Sequence, residues 1–218
     1  MFFPGDPVRV IGHVDVEEAN NLYKLILKKF NEKWIKRSFK LMDTSYCLKA
    51  VSPSNFDSLD ENTRSELKEI LMPWVTPYIS DNEVLVYLDV SSLPPGSQSI
   101  PHVDYLWIHL LSKRIRIPLI TNCDSKFSLL DESGTKTYNL KVGNVYETNN
   151  SVLHAAANLG TTPRWHIVAD ILDKSLYEYL VRTGKLSQWG VSPTLNFLYS
   201  SDVVNQLTRA LKSDPINI

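Results

Sequence analysis

Cysteine and glycine are scarce in this 218-residue sequence, which has two of the first and eight of the second. Cys47 and Cys123 form no C-x-x-C pair, so we expect free thiols in a reducing compartment. The few glycines form neither a GxGxxG nor a GxxxxGK[ST] pattern. The usual sequence signs of dinucleotide and nucleoside-triphosphate binding are therefore missing.

Long apolar runs and an excess of one charge are also missing. No run approaches the roughly eighteen apolar residues of a membrane-spanning helix, so we expect no membrane partner. The start "MFFPGDPVRV" has Pro and Asp where a signal peptide needs an apolar run, which favours a cytoplasmic location. The 23 basic residues nearly balance the 24 acidic ones, which argues against a nucleic-acid partner.

The remaining pattern predicts one domain over residues 1–218, since 43% of the residues are hydrophobic. We expect a helical N-terminal part over 1–83, a β-rich core over 84–172 and C-terminal helices over 173–218. The core consists of short β-rich runs between turn signals such as Pro-Pro-Gly and Val-Gly-Asn. This spacing is typical of an antiparallel sandwich or barrel.

Four helices are expected outside the core. Apolar residues at three- and four-residue steps predict an amphipathic helix over 15–30, and a second helix should fill 61–72 and stop before Pro73. After the core, one helix should end at Gly184 and another should lie near 202–212.

The tripeptide His-Val-Asp occurs twice, and the first copy is interpreted as structural. Asp15 directly precedes the apolar helical pattern, and Glu18 follows three residues later. This is the arrangement of a helix N-cap, in which the carboxylate accepts backbone N–H groups. His13 should then lie in a loop before the helix, without a role at a metal.

The second copy, His102-Val103-Asp104, has the features of a metal site. In an extended segment, residues two apart point the same way, so both side chains can face one cavity. Non-haem Fe(II) oxygenases bind iron through two histidines and one carboxylate, and His154 is the candidate third ligand. Arg164 follows ten residues later, at about the offset of the residue that binds the distal carboxylate of 2-oxoglutarate, and its planar fork suits a carboxylate.

These motifs make residues 93–172 resemble the aspartyl/asparaginyl β-hydroxylase-like group of Fe(II)/2-oxoglutarate dioxygenases, which includes bacterial proline cis-hydroxylases. The resemblance runs through "LPPGSQSIPHVD", "RIRIPLITN", "YNLKVGNVYETNNSVLHAAANLG" and "RWHIVAD". It implies a mainly β fold with a double-stranded β-helix (jelly-roll) core and helices packed outside it. It also implies His102, Asp104 and His154 as iron ligands, and Arg164 as the anchor of the distal carboxylate of 2-oxoglutarate.

The resemblance adds three cosubstrate-binding candidates. The family segment usually reads Arg-x-His-x-Pro-Leu, where the Arg and His help hold the metal-side carboxylate, and this chain has Arg114 and Arg116 there. Ser91 matches a family serine that can hydrogen-bond the cosubstrate. An alternative left open is an amphipathic strand with Ile115 and Ile117 facing the core and both arginines facing water.

Further residues could line a pocket. His166 shares a strand face with Arg164, and Tyr105 and Trp107 could form a substrate wall, although large aromatics in a β domain are often core residues. Asn158 could bond near the site or serve an ordinary turn. His109, among apolar neighbours, is expected to be a hydrogen-bonded core or rim histidine.

We therefore expect a hydroxylase that uses Fe(II), 2-oxoglutarate and O₂ and releases succinate and CO₂. By family likeness its substrate is an amino acid, either free, with proline favoured, or a peptide side chain. Two alternatives remain open. One is a cupin-type jelly-roll metalloenzyme that does not use 2-oxoglutarate, and the other is a non-catalytic binding or sensor module on this scaffold. The sequence leaves the carbon oxidised and the oligomeric state open.

Overall fold

The computed structural model describes residues 6–31, 33, 35–37, 45–52, 59–104, 106–131, 134–149, 151–186, 188, 201–212 and 215–216. Eleven strands lie in these ranges: β1 (Val8–His13), β2 (Ile35–Arg37), β3 (Ser45–Val51), β4 (Glu83–Leu93), β5 (Ser97–Gln98), β6 (Lys113–Ile120), β7 (Ser125–Asp131), β8 (Gly134–Tyr138), β9 (Asn144–Thr148), β10 (Leu153–Asn158) and β11 (Arg164–Asp173). The α-helices of the same ranges are α1 (Val16–Phe30), α2 (Glu61–Val75), α3 (Trp107–Leu111), α4 (Lys174–Arg182) and α5 (Ser201–Ala210).

The strands form two antiparallel sheets, as the jelly-roll prediction requires. The major sheet has the order β1-β9-β6-β11-β4-β3-β2, and the minor sheet has the order β5-β10-β7-β8. The β-rich run over 135–148 divides between them, since β8 belongs to the minor sheet and β9 to the major one. Gly143 lies at the turn before β9 with φ of +96°, a conformation that glycine adopts without strain.

Helices cover the outer faces of both sheets. The α1 and α2 helices pack on the major sheet through a large apolar cluster that includes Ile26, Leu71 and Ile167, all fully buried. On the minor sheet, the buried Leu207 of α5 and Leu211, which directly follows the helix, pack against β10. Burial of each such side chain stabilises the fold by about 1.5–3 kcal/mol. Among the described residues, no helix has the length and apolar character needed to cross a bilayer.

Strand alternation determines which side chains of β11 face the space between the sheets. Trp165, Ile167 and Ala169 belong to the apolar cluster under the helices. Their neighbours Arg164, His166 and Asp170 therefore point the other way, toward the minor sheet. All of these residues are buried, so the interior face of this strand is shielded from water and, apart from Val168, polar.

The N-terminal part is less helical than expected, because it also supplies β1, β2 and β3 to the major sheet. His13 ends strand β1 rather than lying in a loop, and its Nδ1 lies 3.0 Å from Oδ1 of Asn144. The pairing of β1 with β9 joins residues far apart in sequence, which a local pattern does not reveal. The cap prediction is confirmed, since Asp15 Oδ1 accepts the backbone N–H of Glu18 at 2.9 Å.

The prediction that the second helix stops before Pro73 was wrong, because α2 continues to Val75. A proline within a helix removes one N–H donor. Two contacts extend the helix past it. The side chain of Val75 is fully buried in the main core, and both the backbone N–H and the hydroxyl of Thr76 donate to the carbonyl of Met72.

We expect Asp15→Ala to lower the free energy of unfolding by about 1 kcal/mol, since the first turn of α1 loses its side-chain acceptor. Glu17→Ala is the matched control, because Glu17 lies in the same turn but does not cap it. That control should cost only a few tenths of a kcal/mol through the helix dipole. Urea denaturation measures both, and equal losses would contradict the capping role.

Candidate functional site

The structure brings together the three residues predicted as metal ligands. One ligand atom from each of His102, Asp104 and His154 can be chosen so that all lie within 4.8 Å of one another. The two histidines pair as an isolated antiparallel bridge, with N–H to carbonyl distances of 2.9 Å in both directions. Their ring centroids are consequently only 4.5 Å apart.

Each histidine is held in one tautomer by its own backbone. Nδ1 of His102 lies 2.6 Å from the carbonyl of Ile100, and Nδ1 of His154 lies 2.9 Å from the carbonyl of Val152. Because a carbonyl can only accept, Nδ1 carries the proton and Nε2 keeps its lone pair. Burial, with the nearby His102, lowers the pKa of His154 to about 3, so its ring is neutral near pH 7.

Asp104 completes the triad as an ionised carboxylate. Its Oδ1 lies 3.7 Å from Nε2 of His102, and its Oδ2 accepts a hydrogen bond from Nη1 of Arg114. Burial alone would raise the pKa of Asp104, but the Arg114 guanidinium, with further help from His154, holds it well below its usual range. A negatively charged carboxylate oxygen therefore lies beside the two imidazole rings.

Arg114 also binds a second buried carboxylate, which the sequence reasoning did not single out. Its Nε and Nη2 donate to the two oxygens of Asp170 at 2.6 and 2.7 Å. Nδ1 of His109 lies 2.5 Å from the same carboxylate, as expected for a hydrogen-bonded rim histidine. The two-residue spacing from Arg164 to His166 continues to Asp170 and could have placed it on the interior face. The predicted contact of Arg114 with a cosubstrate stays a prediction.

A different charge pattern surrounds the other two arginines. Within the ranges that the structure describes, neither Arg116 nor Arg164 has a carboxylate at ion-pair distance. Arg116 lies over the ring of Phe127, 4.7 Å from its centroid, and its Nε donates to Thr148 at 3.3 Å. Arg164 is 8% exposed, and burial with the neighbouring Arg116 lowers its pKa to about 9. Burial and Arg114 lower the pKa of Arg116 to about 10.

These positions decide between the two readings of strand β6. Ile115 and Ile117 do face the apolar core, as the amphipathic alternative required. The arginines on the other face do not point into water, because that face is the interior between the sheets. Arg114 is 7% exposed there, and Arg116 is partly buried.

His166 presents a buried donor without an acceptor. Nη2 of Arg164 donates to its Nδ1 at 3.2 Å, so the ring proton must be on Nε2. Burial, with the charges of Arg164 and Arg116, lowers the pKa of His166 well below its usual value, which keeps the ring neutral. In the described part of the chain this buried Nε2 has no hydrogen-bond partner.

Of the remaining candidate residues, some lie on the interior face and others do not. Ser91 pairs with His166 across β4 and β11 and shares its interior face. Asn158 donates to the carbonyls of Leu93 and Thr162, both at 2.8 Å, which leaves its amide no N–H for a ligand. Tyr105 lies outside the described residues. Trp107 packs against an apolar cluster of Val86, Ile108, Leu172 and Leu180.

The arrangement has two chemically different ends. Two imidazole nitrogens and one carboxylate oxygen are a donor set for a divalent transition metal. The buried guanidinium of Arg164, the partly buried one of Arg116 and the spare N–H of His166 form an environment that would favour a bound anion. Among the described residues, neither Cys47 nor Cys123 forms a disulfide.

No protein-family model matches the chain, and no curated protein matches its sequence. Solved structures match its fold. A 2OG-Fe(II) oxygenase family oxidoreductase from Burkholderia pseudomallei has a TM-score of 0.54 and 10% identity, over 69% of this chain and 78% of that one. A prolyl hydroxylase from Trichoplax adhaerens, in complex with a hypoxia inducible factor peptide fragment, has a TM-score of 0.54 and 11% identity, over 78% and 86%.

A third similar structure is that of the epimerase SnoN in complex with Fe³⁺, α-ketoglutarate and nogalamycin RO. Its TM-score is 0.52 at 12% identity, and the match covers 77% of this chain and 79% of that one. At such low identities these likenesses establish a shared fold. The predicted jelly-roll core is thereby confirmed.

In the metal-free protein, we expect the free energy of unfolding to fall as the pH drops below about 6.5. The folded state keeps His154 and His166 neutral, while the unfolded chain protonates them near the ordinary pKa of 6.5. Each histidine should contribute a slope of about 1.4 kcal/mol per pH unit. Urea unfolding between about pH 7.5 and pH 5.5, where ordinary carboxylates are still mostly ionised, measures this slope.

His166→Gln should make that slope shallower by one histidine's contribution. Ile167→Val, which removes no titratable group from the same strand, is the control and should leave the slope unchanged. Equal slopes for wild type and His166→Gln would contradict a buried neutral ring at this position.

Proposed function

We propose that this chain is an Fe(II)- and 2-oxoglutarate-dependent dioxygenase of the aspartyl/asparaginyl β-hydroxylase-like group, and that it hydroxylates an amino acid. One observation carries the proposal. A His-Asp-His triad shares the interior of one jelly-roll with the buried Arg164 and the partly buried Arg116, and neither arginine has an ion-pair partner among the described residues. Neither a metal site alone nor a cationic pocket alone would point to this reaction.

Fe(II) fits the triad by the chemistry of its donors. His102 and His154 would each offer Nε2, since both Nδ1 atoms are bonded to carbonyls. Asp104 would offer Oδ1, since its Oδ2 is bonded to Arg114. Two imidazoles and one carboxylate bind one face of a non-haem iron and leave the other face for cosubstrate and O₂.

2-Oxoglutarate fits the cationic end, because two carboxylates would neutralise two guanidinium groups. Arg164 would hold the distal carboxylate through its planar fork, and the unsatisfied Nε2–H of His166 supports an acceptor at this point. Arg116 lies on the side of the triad, since its guanidinium covers the ring of Phe127, whose centroid is 5.9 Å from that of His154, and it would bind the metal-side carboxylate. Ser91 shares this face and would add a hydroxyl.

The residues of the chain would bind the metal and the cosubstrate and orient the substrate. Iron and 2-oxoglutarate would supply the oxidation of an unactivated C–H bond by O₂, with release of succinate and CO₂. The backbone carbonyls of Ile100 and Val152 keep both histidine rings in the metal-binding tautomer. The buried walls exclude water, which strengthens each charge interaction inside the site.

The proposed substrate is an amino acid, either free, with proline favoured, or as a side chain within a peptide. The resemblance to proline cis-hydroxylases in residues 93–172 supports the first form. The similar fold of a prolyl hydroxylase that was solved with a peptide fragment supports the second. A panel of free amino acids followed by peptides separates the two.

We expect the protein to form succinate from 2-oxoglutarate when Fe(II), ascorbate and an accepted amino acid are present. Arg164→Ala should lower kcat/KM for 2-oxoglutarate by about 10- to 100-fold, because hydrogen bonds to charged groups contribute about 1.5–3 kcal/mol each. The effect should appear mainly in KM. Arg182→Ala, at an exposed position on α4, is the control and should change neither constant.

The alternatives give different results in the same assay. Full turnover by Arg164→Ala without 2-oxoglutarate would identify a cupin-type metalloenzyme instead. Failure of the wild type to bind Fe(II) would contradict the enzyme proposal and favour a binding module.

A further inference from the structure

The guanidinium of Arg114 lies between two carboxylates and has a partner for each nitrogen. On one side, Nε and Nη2 bind the two oxygens of Asp170. On the other side, Nη1 binds one oxygen of Asp104. The planar shape of the group makes these contacts interdependent, because a rotation that improves one set lengthens the other.

This arrangement treats the two oxygens of Asp104 differently. Oδ2 is bonded to Arg114, while Oδ1 lies 3.7 Å from Nε2 of His102, on the side of the two histidines. A carboxylate can bind a metal through one oxygen or through both. With Oδ2 occupied by a guanidinium, binding through Oδ1 alone is favoured, and it leaves more coordination positions for other ligands.

Asp170 determines where the guanidinium of Arg114 lies. It is 0% exposed and sits near the middle of β11, directly opposite Arg114 in the pairing with β6. Its carboxylate also bonds Nδ1 of His109, which belongs to the short helix α3 that begins soon after the His-Val-Asp motif. The ring of Tyr87 packs edge-on against His109 at 5.2 Å. Asp170 is therefore fixed by two strands and one helix.

We propose that Asp170 is a positioning residue of the metal centre, which holds Arg114 so that it takes one oxygen of Asp104 and leaves the other for the metal. This inference rests on the proposed function of the triad as a metal centre. Without the Asp170 carboxylate, Arg114 is free to turn and bond both oxygens of Asp104. It then competes with the metal for its only anionic ligand.

Titration of the full-length protein with Co²⁺ tests the inference without any turnover. Asp170→Asn keeps the size of the side chain, but its amide nitrogen cannot accept from Nη2 of Arg114. We expect the Kd for Co²⁺ to rise by about 10- to 100-fold, the usual cost of losing a partner of a metal ligand. The visible d–d absorption of bound Co²⁺ should also change, since Asp104 is no longer held to one oxygen.

The matched control is Glu147→Gln, which removes another buried carboxylate from the same sheet. Glu147 is 3% exposed and pairs with Arg9 rather than with the site. It should leave the Kd and the Co²⁺ spectrum within about twofold of wild type, whatever its effect on Tm. An equal loss of affinity in both variants would overturn the inference, because it would reflect only general weakening of the fold.

A double variant separates positioning from packing. In Asp170→Asn with Arg114→Gln, the competing guanidinium is gone, so Co²⁺ affinity should recover most of the loss. A further loss of Co²⁺ affinity in the double variant would overturn the positioning role, and so would an unchanged Kd in Asp170→Asn. In either case, Co²⁺ binding by the wild type would still support the metal centre. Failure of the wild type itself to bind Co²⁺ would overturn the metal centre and this inference with it.

Discussion

The structure depends on one buried charge, the guanidinium of Arg114 in the space between the two sheets. An isolated charge there would cost on the order of tens of kcal/mol in an idealised apolar medium. Asp104 and Asp170 offset that cost through direct hydrogen bonds and raise the pKa of Arg114 against the opposing effect of burial. Arg114 in turn keeps both carboxylates ionised, against the effect of burial on each. None of the three charges would be stable there alone.

Strands β6 and β11 make this compensation possible, because their pairing sets Arg114 opposite Asp170. The same strands carry Arg116, two positions from Arg114, and Arg164, six positions from Asp170. Among the described residues, no carboxylate lies at ion-pair distance from either arginine. Burial without a counterion destabilises the fold. A site with a buried charge that has no counterion is a candidate for ligand binding, since a bound anion would lower the free-energy cost of burying that charge. At one end of the interior, Asp104 and Asp170 are paired with Arg114. At the other end, Arg116 and Arg164 have no carboxylate partner among the described residues. A metal at the first end and a dicarboxylate at the second would suit these charges.

Much of the fold was predictable, because short β-rich runs between turn signals leave a clear pattern. The capping role of Asp15 was predictable from its position before an apolar helical repeat. Strand β1 was not, since β9, with which it pairs, lies more than a hundred residues away and the pairing is tertiary. The extension of α2 past Pro73 was also hidden, because the burial of Val75 outweighs the local signal of proline.

Part of the candidate site was likewise predictable from the sequence, and part was not. The spacing of His102, Asp104 and His154 led to a triad whose atoms do meet in space, and the alternation of β6 led to arginines on one strand face. The strand alternation could have placed Asp170 on the interior face, but its contact with Arg114, 56 residues away in sequence, is tertiary and left no local signal. Asn158 was indistinguishable from a ligand-binding amide until its bonds to Leu93 and Thr162 were visible.

Visible absorption of the anaerobic protein tests the central claim most directly. When Fe(II) and 2-oxoglutarate are both added, chelation of the metal by the cosubstrate should produce a metal-to-ligand charge-transfer band that neither component produces alone. The band should be lost in His154→Ala. Absence of the band in wild-type protein that is saturated with both components would contradict an iron and 2-oxoglutarate site in this jelly-roll.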